Sequence, residues 1–177
     1  MSSQDAKTAL FSTEVPLNVP ASTGRSPMLF LNIPISDLAA SIAFYTAIGF
    51  VPNKTFGDST SIMMSLPPLY PSSQLPHTSP DNRCGTINLM IMTRERFSGF
   101  LPKADEHKRD VVDASKAAQG LFCLSCGSVE EVDAWVDRAV KAGGKKATGI
   151  EPEGESALMQ HFADTEGNWV GLYTMKK

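Results

Sequence analysis

Residues 30–50 read FLNIPISDLAASIAFYTAIGF. The opening, from Met28 through Ile35, is an apolar run with β-branched and aromatic members, which predicts a buried strand. Asp37 follows in the position of a helix N-cap, and Leu38, Ile42 and Tyr45 recur at helical spacing. Gly49 stands just past the helix end, where a left-handed residue is wanted. The same order returns about ninety residues later. Leu121–Cys126 (LFCLSC) predicts a strand, and Ser128-Val-Glu-Glu131 predicts a capping box. Val129, Val132, Val136 and Val140 mark an amphipathic helix that Gly143 and Gly144 close.

Each strand–helix pair is followed by further strand candidates. In the first copy these are Phe50–Phe56, Ser61–Leu66 and Gly85–Met92, with a Pro- and Ser-rich loop, residues 67–83, before the last. In the second copy they are Lys145–Thr148, Ala157–Ala163 and Trp169–Met175, with a turn at Asp164-Thr-Glu-Gly167 between the last two. The chain therefore repeats a β-α-β-β-β unit, in modules 28–93 and 119–177. Residues 94–118 form a charged connector with weak helical signals at Arg94–Phe97 and Val111–Ala118. Residues 1–27, rich in Ser, Thr and Pro, read as a flexible arm. The fold class expected is α+β.

Composition narrows the function classes. The 177 residues hold 16 Lys+Arg against 19 Asp+Glu, a formal charge of −3, so no basic footprint for nucleic acid or an anionic membrane exists. Apolar runs such as Met28–Leu31 and Leu89–Met92 fall far short of the roughly 20 residues that cross a bilayer. Three cysteines, Cys84, Cys123 and Cys126, are an odd number at low density, which fits a reducing compartment. The N-terminus has neither a continuous apolar segment nor an Arg-rich, acid-free character. A cytoplasmic protein is expected.

The duplicated unit resembles the vicinal oxygen chelate superfamily, which includes glyoxalase I, bleomycin-resistance proteins and extradiol dioxygenases. The resemblance rests on Ile35, Asp37, Leu38, Ser41, Phe44 and Tyr45 in the first copy and on Asp164-Thr-Glu-Gly-Asn168 in the second. It implies one glyoxalase-like domain, 28–177, whose two modules curl eight strands into a cup with helices outside and a ligand cavity inside. It also implies pairing into a homodimer. In metal-dependent members, four inward His, Gln or Glu side chains hold a divalent ion that acts as a Lewis acid.

Carried over residue by residue, those four positions become Phe30, Asn88, Leu121 and Gly171. None is a good ligand for a divalent ion. No His, Asp or Glu occurs in 28–36, 85–92, 120–126 or 169–175, so sliding the alignment by a residue does not supply one. The leading expectation is a protein without metal or cofactor that binds a small, mainly apolar or aromatic ligand, with metal-independent catalysis as an extension. The alternative is a metal-dependent lactoylglutathione lyase or an extradiol dioxygenase-type enzyme with atypical donors such as Asn88 and His161. If the protein is an enzyme, the resemblance implies a lyase or an oxidoreductase.

Strand parity yields the pocket inventory: Phe30 and Asn32; Asn88, Met90 and Met92; Leu121, Cys123 and Ser125; Trp169, Gly171 and Tyr173. Rings, thioethers and a few amide or hydroxyl groups suit an apolar ligand with one or two oriented polar contacts. Among the three histidines, His77 and His107 read as solvated, and His161 is the weak catalytic candidate, as a general base or polar anchor. Cys123-Leu-Ser-Cys126 reads as two structural cysteines, because residues three apart on a strand face opposite sides.

Overall fold

A computed structural model of the chain describes residues 29–67, 87–104, 109–148 and 157–175. The arm, most of the Pro-rich loop, Cys84, His77 and His107 lie outside the described residues. The elements run β1 (Phe30–Ile35), α1 (Leu38–Ala47), β2 (Val51–Gly57), β3 (Ser61–Leu66), β4 (Ile87–Thr93), α2 (Arg94–Ser98), β5 (Leu121–Ser125), α3 (Val129–Lys141), β6 (Lys145–Lys146), β7 (Ala157–Ala163) and β8 (Trp169–Met175). Two four-stranded mixed sheets result, ordered β1-β4-β3-β2 and β5-β8-β7-β6. In each, the first strand pairs parallel with the last and the remaining pairs are antiparallel. This is the α+β two-module architecture expected, with the sheets not closed into a barrel.

Local chemistry sets the helix starts. The Asp37 carboxylate accepts from the Ala40 amide at 2.9 Å, and the Ser128 hydroxyl accepts from the Glu131 amide at 3.2 Å. The return bond of the capping box reaches one residue further back than expected: Glu131 accepts from the Gly127 amide, at 2.6 Å. Helix α3 buries Val132, Trp135, Val136 and Ala139, an i, i+3, i+4, i+7 face, and leaves its acids and bases outside. Helix α1 buries Ser41, Phe44 and Tyr45. Both helices share one apolar core with Ile33, Ile35, Leu89 and Ile91 of the first sheet and Leu124, Phe162, Val170 and Leu172 of the second.

The connector differs from its helical expectation at Val111–Ala118, where a single turn forms. Asp113 explains this. Its carboxylate accepts from the Ser115 amide at 3.0 Å and hydroxyl at 2.7 Å, and these local bonds compete with helix propagation. The turn seats the β7–β8 hairpin. Gly167 has φ +94, and a Cβ there would lie 2.7 Å from the Ser115 amide nitrogen, so the position requires glycine twice over.

That hairpin locks the modules together. Asp164 accepts from the amides of Glu166 and Asn168 and from the Asn168 side-chain amide, while the Tyr45 hydroxyl donates to its Oδ2 at 2.8 Å. Glu166 accepts from the Ser36 hydroxyl at 2.7 Å and the Asp37 amide at 3.0 Å, and Arg94 lies 3.7 Å from it. Burial, then the charge of Asp164 and the bond to it, hold the Tyr45 phenol well above its ordinary pKa.

Tyr45→Phe is expected to lower unfolding free energy by about 1–3 kcal/mol at neutral pH, because a buried carboxylate oxygen loses a donor. The folded protein keeps the Tyr45 proton where the unfolded chain loses it. The wild type therefore loses stability as pH rises past about 10, and the variant shows a shallower fall. Urea unfolding across pH checks both; a variant as stable as wild type would contradict them.

Candidate functional site

The core-facing residues of β1, β4, β5 and β8 are Leu31, Ile33 and Ile35; Leu89 and Ile91; Phe122 and Leu124; Val170 and Leu172. Alternation then puts Phe30, Asn32, Asn88, Met90, Met92, Leu121, Cys123, Ser125, Trp169, Gly171 and Tyr173 on the opposite, helix-free faces. The two modules treat that face differently. In the first sheet Met63, Met92, Ser65 and Asn88 are buried. In the second, Leu121, Cys123 and Ser125 are exposed and Trp169 and Tyr173 are half-buried.

Openings follow this asymmetry. A cavity of about 520 Å³ is lined by Gln119, Leu121, Ala147, Thr148, His161 and Trp169, together with Ala118 and Gly120. A smaller space of about 290 Å³ adjoins it across Leu121 and Trp169 and reaches Asn32 of β1 and Phe97 of α2. Leu121 and Trp169 therefore border both spaces, His161 the larger alone and Asn32 the smaller alone. Phe30, Asn88, Met90, Met92, Cys123, Ser125, Gly171 and Tyr173 line neither cavity. Gln119, Ala147, Thr148 and Phe97 were not singled out in the sequence. They sit at element ends or in the connector, where no periodicity marks a face.

One row of the second sheet is unusual. Cys123 of β5 and His161 of β7 are both register partners of Gly171 on β8, so the three residues share a face. A Cβ on Gly171 would lie 2.6 Å from the Cys123 Sγ, 2.8 Å from the His161 Cδ2 and 3.0 Å from its Nε2. The space of the absent side chain is thus closed in by a thiol and an imidazole edge. His161 Nε2 is buried and has no hydrogen-bond partner. A neutral imidazole nitrogen left this way carries an unmet donor or acceptor. Cys126 sits beside the core and is different in kind: burial, then the Glu131 charge, push its thiol up to about 11, which keeps it protonated and unreactive.

The four positions that the resemblance assigns to metal, Phe30, Asn88, Leu121 and Gly171, carry a phenyl ring, an amide, an isobutyl group and no side chain. The amide oxygen of Asn88 already accepts from the Ser65 hydroxyl at 2.8 Å. Register adds one point. Asn32 pairs with Met90 and Cys123 with Gly171, and each of Asn32 and Cys123 lies five residues before its helix cap, so Met90 is the first-module counterpart of Gly171. A thioether is no better a donor for a hard or borderline divalent ion. Among the described residues no three His, Cys, Asp or Glu side chains gather. This donor set does not fit a chelated divalent ion.

A family model for the Glyoxalase/Bleomycin resistance protein/Dioxygenase superfamily matches residues 28–172, and the chain belongs to that superfamily. No match is found among curated proteins. Among solved structures, a glyoxalase/bleomycin resistance protein/dioxygenase family enzyme from Burkholderia phytofirmans PsJN is similar at TM-score 0.60 and 15% identity, over 83% of this chain and 97% of that one. A glyoxalase-related enzyme from Fulvimarina pelagi is similar at TM-score 0.57 and 17% identity, over 85% and 88%. The fosfomycin resistance protein FosX from Listeria monocytogenes, in complex with Mn(II) and sulfate, is similar at TM-score 0.55 and 12% identity, over 86% and 92%. At these identities the likeness is one of fold. Among the described residues, no helix is long and apolar enough to cross a membrane.

Gly171→Ala is expected to cost about 1–3 kcal/mol, since the new methyl group needs space that the thiol and imidazole occupy. Adding Cys123→Ala should return part of that loss. Urea midpoints of the two single variants and the double variant test this, and strictly additive effects would contradict the packing described.

Proposed function

We propose that the protein binds a small, mainly apolar or aromatic organic molecule in the second module's cavity, without a chelated divalent ion. One observation carries the reading. An apolar space of about 520 Å³, walled by Leu121 and Trp169, also holds His161, whose Nε2 is buried without a partner. The volume lies within the ~300–1,000 Å³ usual for small-molecule sites, and a few polar groups in an apolar wall are what orient such ligands. Gln119 and Thr148 supply further polar atoms at the lining. The donor chemistry at Phe30, Asn88, Leu121 and Gly171 supports a ligand held by these contacts rather than through a metal.

A cytoplasmic homodimer belongs to the same reading. Its support is the low cysteine content and the exposed apolar side chains of Leu29, Phe30 and Leu121, which a second copy would cover.

Calorimetric titration with 1-naphthol and naphthalene is the test, read beside metal analysis of the purified protein. We expect one site per chain and tighter binding of 1-naphthol, whose hydroxyl can meet His161. That preference should vanish in His161→Phe, while Leu121→Asp should weaken both ligands tenfold or more. One tightly held Ni, Zn, Fe or Mn per chain, with chelator-sensitive turnover of methylglyoxal and glutathione, would overturn the reading.

A further inference from the structure

We propose that Cys123 and His161 act together as a nucleophile and base that capture a small electron-poor alkene conjugated to a carbonyl. This rests on the small-molecule reading above and names the ligand chemistry of that site.

Three observations bring the pair together. Gly171 is the register partner of both residues, which places them on one face of three adjacent strands. The Sγ and the Nε2 both lie within 3.0 Å of the point a Gly171 Cβ would occupy, so glycine at this position is what lets them approach. Sγ and Nε2 form no hydrogen bond with each other in this geometry: the Nε2 has no partner, and Cys123 is exposed, so one member has a free nitrogen and the other can turn toward it and be reached. His161 also lines the cavity, while Cys123 lies just outside it, two residues along β5 from the lining residue Leu121, so a ligand held there touches His161 and lies within reach of the thiol.

A thiol becomes an effective nucleophile when a neighbouring base takes its proton. Here Nε2 accepts the proton from Sγ. The thiolate adds to the β-carbon of the alkene, forming a C–S bond as the π pair moves toward the carbonyl. The imidazolium then returns the proton to the α-carbon, leaving a thioether on Cys123 and a neutral imidazole. No oxidant or reductant is consumed. Addition, unlike displacement of a leaving group, uses both members of the pair, because the product needs the proton that the base holds. A neutral enone also suits walls made by Leu121 and Trp169 better than a charged electrophile does.

The experiment treats the full chain with 2-cyclohexen-1-one and maps adducts by peptide mass spectrometry. Cys123 is expected to react at least tenfold faster than N-acetylcysteine at the same pH, and at least tenfold faster than Cys126. His161→Phe should remove the advantage over N-acetylcysteine. His161→Gln, which keeps a polar side chain but takes up no proton, should do the same, and the wild-type ratio needs no variant at all. Cyclohexanone, which lacks the alkene, should slow the reaction as a competitor. If Cys123 reacts at the rate of N-acetylcysteine and ignores both His161 variants while cyclohexanone and 1-naphthol still bind, the pair is overturned and the binding reading stands. If the thiol is fast and His161-dependent but neither cyclohexanone nor 1-naphthol binds, the binding reading fails instead.

Discussion

The bond from the Tyr45 hydroxyl to Asp164 joins a helix of the first module to a hairpin of the second, and much of the structure leans on it. Asp164 also holds the hairpin's own amides, so one carboxylate closes the turn and ties the turn to the other module. Glu166, two residues on, accepts from Ser36 and the Asp37 amide at the start of α1. Rings extend the joint into the core. Tyr45 meets Phe50 edge-on at 5.6 Å, and Phe50 meets Trp135 of α3 at 6.4 Å. Buried acceptors are costly to leave unpaired, so the clamp constrains both modules at once.

This explains why family and fold were legible in the sequence while the chemistry was less so. Asp37, Phe44, Tyr45, Asp164 and Gly167 carried the resemblance, and every one of them serves the clamp, a helix cap or the core. They report on how two β-α-β-β-β units are joined. The resemblance puts the family's metal positions on other residues of the strands, Phe30, Asn88, Leu121 and Gly171. Membership of the superfamily therefore stands on the joint, and the function has to be argued from those strands separately.

Parts of the site were readable because strands alternate. Period-two parity put Leu121, Cys123, Trp169 and Gly171 on one face, and the register agrees. What parity leaves open is which of those residues borders open space, since that depends on packing between sheets. Asn88 shows the difference: it shares the inward face, yet it is buried and bonded to Ser65. Gln119 lies in the connector, and Thr148 closes a strand candidate of which only Lys145–Lys146 forms, so no alternation marked either as a lining residue. The meeting of Cys123 with His161 needed the strand order β5-β8-β7, which no local signal in a sequence states.

The central claim is that His161 anchors a small apolar ligand in the second module. Side-chain imidazole resonances of ¹⁵N-labelled protein, followed during addition of 1-naphthol, address it most directly. The account predicts that the Nε2 signal of His161 shifts and saturates at one ligand per chain. A ligand that binds while that signal stays unmoved would contradict it.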